Sequence, residues 1–141
     1  MILLDTNVIS EAMRPSPNPD VIHWLDAQPA RDVWISAITI AEIRLGIMRL
    51  PQGKRRDVLS DLAEKMFRED FANLCLPFDC DAARQYAHIV SQQNKQGRPV
   101  SVEDAQIAAI AIVGGLVLAT RNTGDFYDIK GLALLNPWED S

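Results

Sequence analysis

Four acidic residues stand where side chains could share one task. Asp5 closes the run Met1-Ile-Leu-Leu-Asp5, and Glu42 ends Ser36-Ala-Ile-Thr-Ile-Ala-Glu42. Asp104 follows Ser101-Val-Glu, and Asp125 lies in Thr120-Arg-Asn-Thr-Gly-Asp125. Carboxylates that converge repel: at an effective dielectric of about 20, a pair ~4 Å apart costs about 4 kcal/mol. A cluster of them stays ionised only where a cation neutralises it; otherwise some members take up protons. All-oxygen ligands with no histidine or cysteine beside them suit Mg²⁺ or Mn²⁺ rather than zinc. A water positioned by such an ion next to a phosphodiester becomes a nucleophile, and the ion offsets the charge that builds on phosphorus. The spacing therefore points to metal-dependent phosphoester chemistry. Each acid also has a local explanation. Thr39-x-x-Glu42 and Ser101-x-x-Asp104 have the form of capping boxes, Asp5-Thr-Asn that of an Asx-turn, and Asp125 could cap a short helical turn. Independent capping needs no common location, so the surrounding elements decide the matter.

Those elements alternate. Ile2-Leu3-Leu4, Val33-Trp34-Ile35, Leu74-Cys75-Leu76, Leu116 to Ala119 and Leu132 to Leu135 read as short strands. Thr6 or Asn7 is expected to cap a short helix ended by Pro15 and Pro17, and Asn18-Pro19-Asp20 to open a second. Ile40, Ile43, Leu45, Ile47 and Leu50 recur at helical spacing between Thr39 and Leu50, and Lys54 to Phe71 carries one apolar stripe. Asp79 or Asp81 starts a long helix ending near Gly97-Arg98-Pro99. Ser101 caps an almost wholly apolar one, stopped by Gly114-Gly115. Strands separated by helices pair in parallel beneath helices on both faces, an α/β architecture. Ligands of such folds bind beyond the carboxyl ends of the strands, where strand order reverses. Asp5 follows the first strand and Asp125 comes soon after the fourth. Glu42 is expected in the first turn of the helix after the second strand, near Asp5. Asp104 is placed less directly, because its helix does not follow a strand.

Composition narrows the classes. The chain has 141 residues, 48% hydrophobic and 23% charged, with a formal charge of −5. This is ordinary globular composition, consistent with one domain over 1–141. Nineteen acids against fourteen bases speak against a protein that coats nucleic acid through bulk charge. Cys75 and Cys80 are too few for a disulfide framework and read as buried reduced thiols. His23 and His88 have no acid or cysteine at ligand spacing, which argues against a zinc site or a histidine-based triad. Neither a signal peptide nor a bilayer-spanning run is apparent, so a soluble, cytoplasmic protein without membrane attachment is expected. Trp24 and Trp34 read as core or interface, and Trp138 as a staple for the last strand.

The opening Met1-Ile-Leu-Leu-Asp-Thr-Asn-Val-Ile-Ser-Glu11 resembles that of PIN-domain ribonuclease toxins of the VapBC type. Ser36-Ala-Ile-Thr-Ile-Ala-Glu42-Ile-Arg-Leu-Gly46, Ala119-Thr-Arg-Asn-Thr-Gly-Asp125-Phe126 and Asn136-Pro-Trp138 are similar to the FitB-like branch, in order and over essentially the whole chain. The resemblance implies a PIN-like three-layer sandwich with a central, mostly parallel sheet of about five strands flanked by helices. It implies that Asp5 and Asp104 are the principal Mg²⁺ ligands, with Mn²⁺ a substitute, and that Glu42 binds directly or through water. The fourth position lies between Asn122 and Asp125, with Asp125 supplying the charge. Thr6 and Thr120 resemble hydroxyls that hold carboxylates or metal waters, and Asn7 an asparagine kept near the first aspartate. The implied reaction is endonucleolytic RNA hydrolysis leaving 5′-phosphate and 3′-hydroxyl ends. The implied assembly is a homodimer, with higher assembly on a cognate VapB/FitA-like antitoxin whose ribbon-helix-helix domain makes the DNA contact. Arg121, next to the acids, and Arg44 are candidate contacts for RNA or antitoxin.

Asn122 keeps open a different class: a non-catalytic PIN-fold module that acts through an antitoxin complex on operator DNA. A haloacid-dehalogenase-type phosphatase would want a second acid where Asn7 stands, and a receiver domain a lysine where Arg121 stands. Setting the four candidate acids aside leaves fifteen acids against fourteen bases. The acid surplus is then largely the candidate site itself.

Overall fold

A computed structural model describes residues 1–139 of the chain. Strand Ile2–Leu4 (β1) opens it, then helices Thr6–Ala12 (α1) and Pro19–Ala27 (α2), strand Val33–Ser36 (β2), and helices Ala37–Met48 (α3) and Lys54–Lys65 (α4). Cys75–Leu76 (β3), Cys80–Lys95 (α5), Val102–Gly114 (α6), Val117–Ala119 (β4), Thr123–Phe126 (α7) and Leu134–Leu135 (β5) follow. The strands form a 5-stranded sheet in the order β3-β2-β1-β4-β5, every pairing parallel. This is the expected three-layer α/β sandwich. From β1 the chain winds to β2 and β3 on one side, then crosses to β4 and β5 on the other. Strand order thus reverses between β1 and β4, which opens a crevice at their carboxyl ends. The Asp5 N–H donates to the Ala119 carbonyl at 2.9 Å, so the ladder continues to the first residue of that crevice.

Side-chain alternation along the strands divides the interior in two. Leu3 and Leu118 point into one core with α5 and α6, while Leu4, Ile35 and Ala119 join the other with α1 to α4. Trp24 is buried in the second core and Trp34 is half-buried against the first. In α6, Ala105, Ile107, Ala108, Ala109, Ile110 and Ala111 are all buried, as its apolar sequence requires. Among the described residues no helix is long and apolar enough to cross a membrane.

Several local expectations change. Asp5, not Thr6 or Asn7, caps α1, its carboxylate accepting from the Thr6 N–H. Helix α3 begins at Ala37 because Ser36 is the cap, its hydroxyl accepting from the Thr39 N–H at 3.1 Å. Glu42 therefore sits in the second turn rather than the first, out of reach of a capping box with Thr39. The Lys54 to Phe71 helix is α only to Lys65. Met66–Asp70 widens into a π turn, with the Phe71 N–H bonded to the Met66 carbonyl. Cys75 and Cys80 are exposed, because β3 is a two-residue edge strand and Cys80 starts α5 on the surface. Asn18, Asp79 and Ser101 do cap α2, α5 and α6.

Gly115 ends α6 at φ +67°, where the Gly115 and Leu116 N–H groups return to the Ile112 and Ala111 carbonyls. Gly46, inside α3, has nothing within 4 Å of an added Cβ. Opposite signs are expected in chemical denaturation. Gly115→Ala should lose roughly 1–2 kcal/mol through the left-handed backbone, and Gly46→Ala should gain about 0.5 kcal/mol by restricting the unfolded chain.

Candidate active site

Asp5 is 4% exposed and 115 positions from its principal partner. The Thr120 hydroxyl, itself fully buried just beyond β4, donates to Asp5 Oδ2 at 2.7 Å. That hydroxyl in turn accepts from the Asn122 N–H at 3.0 Å and from Asn7 Nδ2 at 3.3 Å. Asn7 Nδ2 also lies 3.3 Å from Asp5 Oδ2. Burial raises the Asp5 carboxyl above its ordinary value, the Thr120 and Thr6 hydrogen bonds pull against it, and the Asp125 charge adds to the rise.

Glu42 is held by a chain of hydroxyls. Thr6 Oγ1 donates to Glu42 Oε1 at 2.7 Å. Its one proton is thereby used, so the Thr39 hydroxyl at 3.0 Å is the donor in their contact. Ser36 Oγ approaches Thr39 Oγ1 at a long 3.5 Å. Ser36 and Thr39 are fully buried, so the relay orients Glu42 from inside the protein. Ser36 and Thr39 were not among the residues expected to act here. The signal was present in a serine at a strand end followed by a helix, the N-cap pattern.

Asp104 stands in the first turn of α6, with its N–H on the Ser101 hydroxyl at 3.1 Å. Its carboxyl is pushed up to about 6, by burial first and then by the Asp5 charge, with Asp125 and Glu42 adding to the rise against a Ser101 hydrogen bond. Asp5, Glu42 and Asp104 line one open pocket of about 450 Å³ together with Thr6, Asn7, Asn122 and Arg121. Asp104 and Asp125 line an adjoining one of about 340 Å³. Asp104 is the one acid common to both, so the four acids are spread over two pockets rather than gathered at a point. Among the described residues no three His, Cys, Asp or Glu side chains already stand at the separation of ligands around one ion. The donor chemistry still fits a hard dication, since the acids and Thr6 offer carboxylate and hydroxyl oxygens, and a cation there would offset the neighbouring charges that add to the burial-driven rise at Asp104.

Arg121 follows Thr120 at the rim, its guanidinium 5.1 Å from the Trp138 ring and its N–H on Asn7 Oδ1 at 3.4 Å. Asn136 ties this corner together: Nδ2 donates to the Arg121 carbonyl and Oδ1 accepts from the Trp138 N–H. Arg44 lies elsewhere, paired with Glu64 at 2.8 Å and over the Phe67 ring between α3 and α4. Glu11 also lines the pocket. Its carboxyl lies below its ordinary value, chiefly because it accepts the Asn18 N–H, with Arg14 as a further partner. From Thr6 and Glu42 an apolar groove of about 520 Å³ runs away between α1, α3 and α4, past Ile43, Ile47, Val58 and Leu59.

The PIN domain family profile matches residues 2–132. Toxin FitB of Neisseria gonorrhoeae is 46% identical over 140 residues, 99% of this chain and 100% of that protein. VapC ribonuclease Y4jK of Sinorhizobium fredii is 42% identical over 139 residues, 99% of each chain. The solved structure of FitAB bound to the IR36 DNA fragment matches with a TM-score of 0.92 at 45% identity, over 100% of this chain and 98% of that one. With the parallel sheet, the acids at its switch point and these similarities together, the chain belongs to the PIN-domain family, on its FitB-like branch.

Proposed function

We propose that this protein is the toxin of a type II toxin–antitoxin pair of the VapBC/FitAB kind, an Mg²⁺-dependent endoribonuclease. It acts as a single domain over 1–141, as a cytoplasmic homodimer inhibited by a cognate VapB/FitA-like antitoxin. The observation that carries this reading is the ring of Asp5, Glu42 and Asp104 on one pocket, with the Asp125 charge felt by both other aspartates. Similarity to a protein named VapC ribonuclease supports RNA as substrate, and the FitAB complex on a DNA fragment supports DNA binding by the toxin–antitoxin complex, a contact we assign to the antitoxin.

Asp5, Glu42 and Asp104 would hold Mg²⁺, or Mn²⁺ in its place, with Asp125 as the fourth carboxylate. Bound there, the ion supplies a lowered water pKa and charge neutralisation at phosphorus. The Thr120 hydroxyl engages one oxygen of Asp5 and the Thr6 N–H the other, which together orient the carboxylate. The Thr6 hydroxyl orients Glu42 through Oε1. Arg121 is close enough to meet an RNA phosphate. Water adds to phosphorus, the bond to the 3′ oxygen breaks, and that oxygen takes a proton, giving 5′-phosphate and 3′-hydroxyl ends. The apolar groove starts at Glu42, so an antitoxin segment seated in it would bring a basic side chain to the acids. A second reading, a non-catalytic module working only within the antitoxin complex, is favoured by Asn122 on the pocket rim.

Incubating antitoxin-free protein with Mg²⁺ and cellular RNA separates the two. Cleavage is expected, and Asp5→Asn or Asp104→Asn should reduce it at least about 100-fold, the equivalent of roughly 3 kcal/mol of lost charge stabilisation. Folded protein that cuts no RNA favours the module, and an Asp5→Asn variant at wild-type rate overturns the assigned chemistry.

The raised Asp104 carboxyl has a consequence for stability without metal. Its folded value of about 6 exceeds the ordinary 3.8, so the folded state holds the proton more tightly. Stability from this group is complete below roughly pH 4 and is lost as pH rises through 6. In EDTA at pH 7.5, Asp104→Asn should melt above wild type, and the gap should narrow as pH falls below 6 and close near pH 4. Scanning calorimetry across that range reads the sign directly.

A further inference from the structure

Asp125 rides on α7, a four-residue helix whose N-cap Asn122 makes no side-chain capping bond. So short a helix does not hold itself, since nucleation costs more than one turn of hydrogen bonds returns. Phe126, fully buried, anchors it from inside. Outside, a guanidinium holds it. Arg98 lies in the loop between α5 and α6, the loop that leads into the turn carrying Asp104. Its Nη2 donates to the Gly124 carbonyl at 3.2 Å and its Nη1 to the Tyr127 hydroxyl at 2.7 Å. Its Nε pairs with Asp128 Oδ2 at 2.8 Å, and its Cζ lies 4.5 Å from the Tyr127 ring centre. The residues either side of Asp125–Phe126 are thus gripped by one planar group.

That grip is itself braced. Gln93, 3% exposed on α5, donates from Nε2 to the Arg98 carbonyl at 3.1 Å and to Asp128 Oδ1 at 3.2 Å. Gln93, the Arg98 backbone, the Arg98 guanidinium and Asp128 close a ring of contacts, and the ring joins the Asp104 loop to the Asp125 helix. Arg98, Ser101, Asp104 and Asp125 line the same cavity of about 340 Å³. Ion pairs this exposed, 42% and 20%, add little to global stability, so the clamp's effect lies in geometry.

We infer that Arg98 is a positioning residue, which clamps α7 onto the α5–α6 loop and so sets the Asp125 carboxylate against Asp104. The inference rests on the reading of Asp125 as the fourth carboxylate of the site. It requires the planar fork of arginine, because three acceptors in different directions are engaged at once and a lysine ammonium presents no such fork.

Mn²⁺ binding to the folded protein without RNA, followed by electron paramagnetic resonance, tests it apart from activity. Arg98→Gln should weaken binding by about 10-fold or more, and Arg98→Lys should not restore it. In the cleavage assay the metal concentration for half-maximal rate should rise by the same factor while KM for RNA, read at saturating metal, stays within about 2-fold. Asp125→Ala should weaken binding likewise, and Arg98→Gln added to Asp125→Ala should cause no further loss. Additive losses in the double variant would overturn the inference, as would a raised KM with unchanged metal dependence, which makes Arg98 a phosphate contact. A lower melting temperature with wild-type Mn²⁺ affinity would reduce Arg98 to a structural role. If Asp125→Ala binds Mn²⁺ normally, the fourth-ligand reading and the clamp fall together. If only Arg98→Gln binds normally, the clamp alone falls.

Discussion

Repulsion among Asp5, Glu42, Asp104 and Asp125 must be borne by the fold whenever no cation lies between them. Each acid comes from a different element, and each is followed or preceded by an apolar side chain buried in one of the two cores: Leu4 beside Asp5, Ile43 beside Glu42, Ala105 beside Asp104, Phe126 beside Asp125. Burying a leucine, isoleucine or phenylalanine side chain stabilises by about 1.5–3 kcal/mol, the same order as the repulsion of one charge pair at the rim. An acid cannot retreat into solvent without drawing its buried neighbour along. The charge is therefore held where the chain would not leave it on electrostatic grounds alone, and Asp104, raised first by burial, is raised further by its acidic neighbours.

Neutral hydroxyls, not cations, steady the inner pair. Thr120 donates to Asp5 and Thr6 to Glu42, each at 2.7 Å. A hydroxyl fixes direction and leaves the negative charge in place, whereas an arginine at that distance would cancel it. The nearby guanidiniums are engaged elsewhere: Arg121 over Trp138, Arg14 with Glu11, and Arg98 with Asp128 and Tyr127. The carboxylates keep both geometry and charge, which is what binding a hard dication demands.

Much of this was legible in the sequence, where local rules and the fold agree. Three-residue apolar runs separated by helical patterns do build a parallel sheet, and the reversal between β1 and β4 does gather Asp5, Thr6, Asn7, Thr120 and Asn122 at one edge. Glu42 reached the site for a different reason from the one spacing suggested. Ser36 starts α3 three residues earlier than Thr39, and the extra turn brings Glu42 to Thr6. Arg98 was invisible because its partners Gly124, Tyr127 and Asp128 lie 26 or more positions away, and nothing periodic marks a residue that works across two loops. Cys75 and Cys80 misled in the other direction, since the usual burial of free cysteine gives way on a two-residue edge strand and at the exposed start of α5. Long-range polar contacts are where sequence patterns carry least information.

The charge balance acquires a different meaning once the acids are located. A net −5 opposes a polyanion at long range, yet with the four acids set apart the remainder is fifteen acids against fourteen bases. A nearly neutral body provides little electrostatic steering and few counterions to release. On the proposed reading, attraction for a phosphate would arise at the rim, where a dication held among the acids would reverse part of the local field beside Arg121. Affinity for RNA and occupancy by metal would then be two faces of one equilibrium, because the bare acids repel a phosphate backbone.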